Sequence, residues 1–418
     1  MLYSKNVSKL EVNRFVYMNK IFQLIYFSAL LFFSITVVAQ NNDKKISGQL
    51  LDKETKKPIV FASIYLKGET IGTTSNEEGY FTFHFPSLNN SNVVIISSIG
   101  YESVELNTDD FIPNQQLYLN SKIDKLDEVV ITSTKKKKIT AKQIVKKAYK
   151  QITRNYPEKP YITEGFIRDL QNEDGKYVEY LECAVKFYNE ACNVSKEPQV
   201  ELVEVKSNQI ANKHPWNTKW ERKNSIIDLV EDDFIRFDYG PIKGRGGWKY
   251  KLEDILLYNN KYVYKIIAID EPFQKATLFI DTESFAFVKI ELTRTKNKGK
   301  LWKRRLSNGQ QIVDYSIIIE YQEFKGKMYL KYKKEEDTWE IYDMQDPKKL
   351  LFTKNPKKEL FVNKIVIKDV ENYPFEENMK INRSIENQAK TYNAEFWLNY
   401  NAPKKTKAIS KIELYLKN

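Results

Sequence analysis

The stretch GTTSNEEGYFTF, residues 72–83, gathers the oxygen-bearing side chains that a calcium ion would need. Asn76, Glu77 and Glu78 stand directly before Gly79, and alternating aromatic residues follow. A calcium loop of the EF-hand type places ligands at alternating positions over about twelve residues and ends on a bidentate acid. No acid follows Glu78 in this stretch, whereas glycine adopts a positive φ without steric cost. The stretch therefore predicts a turn before a strand and no metal site.

The chain contains two histidines, and neither lies in a pattern typical of a zinc peptidase. Such a site needs clustered His and Glu ligands and a Glu base, but neither His84 nor His214 has a Glu three residues on. No Gly-x-Ser-x-Gly motif marks a nucleophile, and a Ser or Cys nucleophile would lack its paired His. We therefore expect no catalytic, cofactor-binding or metal-binding residues. Hydrolysis by carboxylates alone stays open, because two of the 55 acids could meet in space.

Two further motifs carry weaker chemical signals. GPIKGRGGWKY, residues 240–250, is rich in glycine but lacks the Gly-Lys-Ser/Thr ending of a phosphate loop, so we expect a flexible connection. Cys183 and Cys192 are the only cysteines. In an oxidising compartment they could form a disulfide if a bend brought their Cα atoms within about 7 Å. The sequence leaves that pairing open.

The N-terminal segment has the order of a secretory signal. Lys20 precedes an apolar run over residues 21–38, and Ala39 stands before Gln40. We expect a signal peptide over residues 1–39 and a protein exported to the periplasm or the outer membrane. An uncleaved membrane anchor is the alternative, because the run approaches the length of a spanning helix. The net charge of +12 would suit a polyanion, but export makes nucleic acid an unsuitable partner.

The remainder of the 418 residues is long enough for roughly two or three domains of about 100–200 residues each. The 27 tyrosines and 23 phenylalanines, with few glycines and prolines, favour a mainly β protein. We place a β-sandwich at 46–133, a basic linker and helix at 134–160, and a β-rich C-terminal domain at 161–418.

Short alternating segments separated by turns predict the sandwich. They include KISGQLLD, IVFASIYLKG, the stretch at 72–83 and SNVVIISSIGYESVEL. In IVFASIYLKG the residues Val60, Ala62, Ile64 and Leu66 share one face at period two. Strands this short at this spacing predict an antiparallel sandwich.

This series resembles the carboxypeptidase-regulatory-like domain, a transthyretin-like sandwich at the front of many Bacteroidota envelope proteins. LDEVVITS, residues 126–133, is similar to the segment that closes that domain. The resemblance implies an interaction module at the outer membrane or in the periplasm. That family usually has Asp where this chain has Asn76.

The segment after the basic run 135–138 predicts a helix. Thr140 precedes an apolar stripe of Ile144, Val145, Ala148, Tyr149 and Ile152, and prolines at 157 and 160 end it. Its lysines could lie on anionic lipid, but we favour a basic outer face on a helix that packs against the C-terminal domain.

From residue 161 onward, long alternating segments with one apolar and one charged face predict a curved antiparallel sheet or half-barrel. LFIDTESFAFVKIE, residues 278–291, is similar to the sheet hairpin of periplasmic lipoprotein carriers of the LolA and LolB type, which hold acyl chains. The wider region resembles a Bacteroidota family with the same two-part layout, which implies no particular activity.

The apolar face over residues 262–269 and 276–290 is too long for one helix to cover. We expect Trp248, Phe279 and Phe287 to line an apolar ligand face there. The sequence thus predicts a non-enzymatic, exported protein that needs no cofactor. Its expected partners are envelope proteins, outer-membrane components or a lipid-like amphipathic ligand, and the alternative function is a hydrolase with a carboxylate-based site.

Overall fold

The computed structural model describes most of the chain after residue 42. The described residues are 43–86, 92–124, 139–191, 199–209, 229, 233–238, 240–270, 274–295, 309–343, 345–346, 348–372, 379–380, 385, 388 and 392–417. The predicted signal peptide, the closing segment 126–133 and the basic run 135–138 lie outside them. No helix within these ranges has the length and apolar character needed to cross a membrane.

The first seven described strands form the predicted sandwich. They are β1 Asp43–Asp52, β2 Ser63–Leu66, β3 Gly72–Thr74, β4 Tyr80–Pro86, β5 Val93–Ser97, β6 Val104–Asn107 and β7 Gln115–Leu119. One sheet has the order β4-β1-β7 and the other β3-β2-β5-β6. The sheets enclose a core that includes Phe81, Phe83 and Phe85, which alternate along β4 with exposed or half-buried neighbours.

Two details differ from the sequence-based prediction. β1 and β7 pair in parallel, so the sandwich is not wholly antiparallel. Val60 does not share the buried face of Ala62, Ile64 and Leu66, and is 43% exposed. The physical reason is Phe61, whose φ of 55° interrupts the extended backbone and with it the period of two.

A second, larger antiparallel sheet contains the remaining described strands. They are β8 Ile123–Asp124, β9 Tyr161–Glu173, β10 Lys176–Asn189, β11 Gln199–Gln209, β12 Lys249–Tyr258, β13 Lys261–Asp270, β14 Gln274–Asp281, β15 Phe287–Thr295, β16 Gln310–Phe324, β17 Lys327–Tyr342, β18 Leu350–Lys354 and β19 Lys357–Val366. The order runs β11-β10-β9-β18-β17-β16-β15-β14-β13-β12-β8, and β19 pairs with both β17 and β9. The predicted mainly β fold, with a sandwich followed by a curved sheet, is confirmed.

Helices are short and lie outside the sheets. Those that lie within the described ranges are α1 Ala141–Lys150, α2 Ile152–Asn155, α3 Phe234–Phe237, α4 Ala394–Asn399 and α5 Lys407–Lys417. Short 3-10 turns occupy Thr108–Asp110, Gly240–Lys243 and Val370–Asn372.

Helix α1 begins and packs as its sequence predicts. Thr140 and Gln143 form a reciprocal capping box, which satisfies two N-terminal backbone amides. Its apolar stripe is buried in the core of the large sheet, and its lysines are exposed. Binding to lipid through that stripe is therefore excluded in this conformation.

The sandwich and the large sheet are joined directly. Residues from Lys45 onward pack as one compact unit, and β8, which follows the sandwich, pairs with β12 at the end of the large sheet. The backbone amide of Gly100 also donates to the carbonyl of Leu257 at 2.7 Å. These bonds attach the sandwich to β12, near the end of the large sheet.

Candidate functional site

The acidic stretch at 72–83 forms a turn, as predicted. Gly79 has a φ of 76°, and its amide donates to the carbonyl of Asn76 at 2.9 Å. The Oδ1 atom of Asn76 accepts bonds from the amides of Glu78 and Tyr80. The Nδ2 atom of Asn76 donates to the carbonyl of Lys404 at 2.8 Å, which an Asp at this position could not do. The Asn at this position, where that family usually has Asp, thus connects the turn to the C-terminal segment, residues 401–417.

The two acids of this turn contact the rest of the protein. Glu77 Oε1 lies 2.6 Å from Lys357 Nζ and 3.4 Å from Lys334 Nζ, both on the large sheet. Glu78 Oε1 accepts a bond from the amide of Lys407, which begins α5, at 3.1 Å. Within the described residues, no group of three or more His, Cys, Asp or Glu side chains could hold a metal ion. Glu77 therefore attaches the sandwich to the sheet, and Glu78 attaches it to α5.

His84 lies where the sandwich meets the C-terminal segment. Its backbone exchanges two bonds of 2.7 Å with the side-chain amide of Asn401, which accepts from the His84 amide and donates to its carbonyl. Asn401 thus pairs with the outer edge of β4 in the way a neighbouring strand would. His214 lies outside the described residues.

A buried ion pair fixes the C-terminal segment on its other side. Arg168, on β9, donates to Glu182 Oε1 from Nε at 3.1 Å and from Nη2 at 2.9 Å. Its Nη2 also donates to the carbonyl of Pro403 at 3.2 Å. Lys405 lies 3.5 Å from Glu182. Because the segment is bonded to both the sandwich and the sheet, it holds the two in one arrangement.

Phe61 projects from the sandwich onto the large sheet. Its ring stacks on that of Tyr332, with 4.7 Å between centroids. A positive φ is unusual for a bulky residue, and Ser75 holds this backbone in place. The Ser75 carbonyl accepts from the Phe61 amide at 3.1 Å, and its hydroxyl accepts from the Ala62 amide at 2.9 Å.

A cavity of about 200 Å³ lies beside Phe61, between the sandwich and the sheet. The sandwich side contributes Val60, Phe61, Ser97, Ser98 and Ile99. The sheet side contributes Leu256, Tyr258, Lys265, Phe279, Lys289, Glu320 and Lys331. Its wall combines polar and apolar side chains in about equal measure, and its charged groups all come from the sheet.

Three charged side chains of this wall form one cluster. Glu320 lies between two ammonium groups, with Oε1 at 3.0 Å from Lys289 Nζ and Oε2 at 3.1 Å from Lys331 Nζ. Lys331 Nζ also donates to the carbonyl of Phe61 at 3.3 Å. Lys289 Nζ lies 2.9 Å from Glu291 as well. The cluster thus links the sandwich backbone to three neighbouring strands of the sheet, β15, β16 and β17.

Burial and charge act in opposite directions on this cluster. Burial would raise the pKa of Glu320, but the charges of Lys289 and Lys331 hold its pKa below the ordinary value. Burial lowers the pKa of Lys331, although Glu320 opposes that shift. Burial would also lower the pKa of Lys289, but Glu320 and Glu291 raise it. Glu320 is therefore ionised at neutral pH.

A second cavity is much smaller. It measures about 40 Å³ and includes Tyr321 and Asp233 in its wall. The Tyr321 hydroxyl donates to Asp233 Oδ1 at 2.5 Å. This space holds only a few water molecules, since one water needs about 10–15 Å³. The larger cavity is the better candidate for a ligand.

The three aromatic residues that were expected to share one ligand face all lie in or against one hydrophobic cluster, although the strand register places two of them on different faces. Phe279 pairs with Lys289, whereas Ile280 pairs with Phe287. Because paired residues share a face and successive residues alternate, Phe279 and Phe287 lie on opposite faces. Phe279 lines the cavity. Phe287 is fully buried in the hydrophobic cluster that includes the apolar residues of α1, and Trp248 packs against that cluster.

Phe279 and Phe287 thus lie on opposite faces of the hairpin, and a ligand face that includes them and Trp248 stays a prediction. Ligand binding at Phe279 remains a prediction. Cys183 is buried in β10, and Cys192 lies outside the described residues, so their pairing also stays a prediction.

Sequence reasoning missed Phe61, Lys289, Glu320 and Lys331. The three charged residues belong to the polar face of alternating strands, which predicts exposure to solvent. Nothing in the sequence signals that another domain covers that face. Phe61 could have been noticed as an apolar residue out of phase in IVFASIYLKG.

Comparison with known proteins identifies the sandwich. Residues 46–131 match the family model of the CarboxypepD_reg-like domain, which confirms the resemblance seen in the sequence. No protein with a curated description matches the chain.

Several solved structures are distantly similar. A LolA superfamily protein from Nitrosomonas europaea is 11% identical, with 57% of this chain and 99% of that chain covered and a TM-score of 0.20. Lipovitellin is 8% identical, with 60% and 29% covered and a TM-score of 0.26. MucB in its complex with MucA from Pseudomonas aeruginosa is 7% identical, with 53% and 93% covered and a TM-score of 0.17. TM-scores this low do not establish a common fold.

Proposed function

We propose that the protein is a non-enzymatic, exported binding protein of the cell envelope, and that its ligand occupies the cavity between the sandwich and the sheet. The observation that carries this proposal is the cavity itself. It is about 200 Å³ in volume, has walls from both domains, and places a small charged cluster beside apolar side chains. Ligand sites in proteins also combine apolar side chains with polar groups that orient the ligand, although the polar share of this wall is larger than usual.

The size of the cavity indicates the size of the ligand group. An engineered apolar cavity of about 150 Å³ binds benzene. A cavity of about 200 Å³ accommodates a group of that size or slightly larger. A long acyl chain would not fit inside it.

The arrangement of the two domains favours a preformed site. The sandwich is attached through Glu77 and through β8, and the C-terminal segment is bonded to the turn at Asn76. Because these contacts surround the cavity, a ligand would not have to order its two walls on binding. A preorganised site avoids part of the entropic cost of binding.

A binding role fits the cavity better than hydrolysis does. Catalysis by carboxylates needs two acids that face the substrate, and Glu320 is the one acid among the described residues of the cavity wall. Both of its oxygens are already bonded to ammonium groups. This arrangement holds charge in place, and the described part of the cavity wall offers no second carboxylate to act as acid or base.

The proposed location depends on the N-terminal sequence. A charged start, an apolar run and a small residue at position 39 favour export and cleavage before Gln40. The exported chain would meet envelope proteins and outer-membrane components, which we propose as its partners.

Saturation-transfer NMR with benzyl alcohol tests the proposal, using the mature chain. We expect transfer to the benzyl ring, and its loss in Ser98→Phe, which fills the cavity. Ser121→Phe, at an exposed serine outside the cavity wall, should leave the transfer unchanged. If neither benzyl alcohol nor benzoate receives transfer at millimolar concentration, the cavity is not a ligand site and a scaffold role remains.

A further inference from the structure

The charged cluster of the cavity has donors beyond those its own bonds use. An ammonium group has three N–H donors. Lys331 Nζ is bonded to Glu320 and to the carbonyl of Phe61. Lys289 Nζ is paired with Glu320 and Glu291. Among the described residues, each ammonium therefore keeps one N–H for a further acceptor.

Because both ammonium groups are buried, a bond from their remaining N–H donors to an acceptor in the cavity would be stabilising. Lys331 is 4% exposed, so water reaches its ammonium group poorly, and the side chain of Lys289 is 17% exposed. A buried donor without a partner costs free energy, and more so when it is charged. An acceptor in the cavity would satisfy both lysines.

The charges of the wall indicate the sign of that acceptor. Among the buried groups, the ammonium groups of Lys289 and Lys331 exceed the single carboxylate of Glu320 by one positive charge. Glu291, which also pairs with Lys289, offsets this excess only in part, because solvent screens its exposed charge. At the edge of the cavity, Lys265 is paired with Glu253 at 2.7 Å. Glu291, which is 36% exposed, lies beyond the wall. One negative charge on the ligand would balance the buried groups.

Resting on the proposed function, we propose that the ligand is a small organic monoanion: a carboxylate joined to an apolar group of about the size of benzene. Its carboxylate accepts the remaining N–H donors of Lys331 and Lys289. Its apolar group packs against Phe279 and Leu256 on the sheet and Ile99 on the sandwich. A doubly charged phosphate is disfavoured, because it would leave an uncompensated negative charge in a buried site.

Three ligands of one size test this proposal on the wild-type mature chain by isothermal titration calorimetry. Benzoate is anionic, benzyl alcohol is neutral and benzylamine is cationic at neutral pH. We expect benzoate to bind at least tenfold more tightly than benzyl alcohol, and benzylamine at least tenfold more weakly than benzyl alcohol. Equal affinities for benzoate and benzyl alcohol would refute the anion inference while leaving the proposed function intact.

Substitution of one lysine tests whether its ammonium group contacts the carboxylate of the ligand. Lys331→Met keeps the length of the side chain and leaves Glu320 paired with Lys289. We expect benzoate affinity to fall at least tenfold and benzyl alcohol affinity to stay within twofold. Lys67→Met is the matched control, because it removes an exposed ammonium group paired with Glu105 in the sandwich.

A second variant provides an independent test in case Lys331→Met does not fold. Lys289→Met leaves Glu320 paired with Lys331 and should reduce benzoate affinity in the same way. If either folded variant retains the wild-type ratio of benzoate to benzyl alcohol affinity, the carboxylate does not contact that lysine and the assignment is wrong.

Discussion

The ring of Phe61 in the sandwich stacks on the ring of Tyr332 in the large sheet, with 4.7 Å between centroids and 23° between planes. The same residue has a left-handed backbone, and its carbonyl accepts a bond from Lys331. Phe61 therefore both attaches the two domains and forms one wall of the cavity.

Removal of this ring should weaken the whole protein. Complete removal of a buried Phe side chain costs about 3–5 kcal/mol, and Phe61 is half-buried, so Phe61→Ala should lower the free energy of unfolding by about 2 kcal/mol. Urea denaturation of the mature chain measures this change. Val60→Ala, at the exposed neighbour, should cost no more than about 0.5 kcal/mol. Similar losses for the two variants would show that the stack does not stabilise the docking.

Gly79 should tolerate a side chain less well than other glycines with the same backbone. Both Gly79 and Gly68 have positive φ, but a Cβ at Gly79 would lie 2.5 Å from the carbonyl oxygen of Leu50, and a Cβ at Gly68 would meet nothing within 4 Å. Gly68→Ala should therefore cost about 1 kcal/mol, from backbone strain alone. Gly79→Ala should cost clearly more, and Gly79→Val at least as much. Thermal unfolding compares the variants, and equal losses would contradict the close approach to Leu50.

Glu77 should make the stability of the protein depend on pH. Burial alone would raise its pKa, but the hydrogen bond and charge of Lys357, together with Lys334, lower it below the ordinary value of 4.5. A lowered folded-state pKa means that the stabilisation is complete above pH 4.5 and is lost as the pH falls through the folded-state pKa.

The free energy of unfolding as a function of pH checks this sign. Glu77→Gln should lower stability at neutral pH and should reduce the loss of stability on acidification below pH 4.5. An identical pH dependence in wild type and variant would mean that the ion pairs with Lys357 and Lys334 do not persist in solution.

Asn76→Asp should loosen the C-terminal segment without opening the turn. An Asp keeps the oxygen that accepts from the Glu78 and Tyr80 amides but cannot donate to the carbonyl of Lys404. The loss of one such bond is worth about 1 kcal/mol, so amide hydrogen exchange in residues 401–417 should become faster.

Gln49→Glu provides the control for that experiment. Gln49 donates to the carbonyl of Glu78 at 3.0 Å, so the variant makes the same change of charge and donor near the same turn. It should leave exchange in the C-terminal segment unchanged, and an equal acceleration would assign the effect to charge rather than to the bond with Lys404.

The mature protein should begin at Gln40, because Ala39 closes the predicted signal peptide. N-terminal sequencing of the protein from envelope fractions measures the start directly. Recovery of an intact residue 21–38 segment would instead support a membrane anchor.

The strand elements were predictable from sequence because alternation has a local cause. Phe81, Phe83 and Phe85 are buried at period two, since successive side chains on a strand point to opposite faces. The capping residue Thr140 and the glycine at position 79 acted through bonds within a few residues. Such local features determined the sandwich, helix α1 and the hairpin turns.

The candidate site depended on contacts between distant parts of the chain. Alternation placed Phe279 and Lys289 on one face and Phe287 on the other only once the register of β14 and β15, with its bulge, was known. It also predicted a charged face without showing what covers that face. Phe61 is separated from Lys331 by 270 residues, and no local pattern connects them.

The sequence by itself therefore determined the class of fold, the strands and the turn at Gly79, because backbone and side-chain preferences there act over a few residues. The tertiary structure alone decided that the sandwich covers part of the charged face, that Asn76 and Glu77 serve docking, and that a cavity lies beside Lys289, Glu320 and Lys331. The physical reason is that burial of those charges becomes favourable only when partners from both domains are in place.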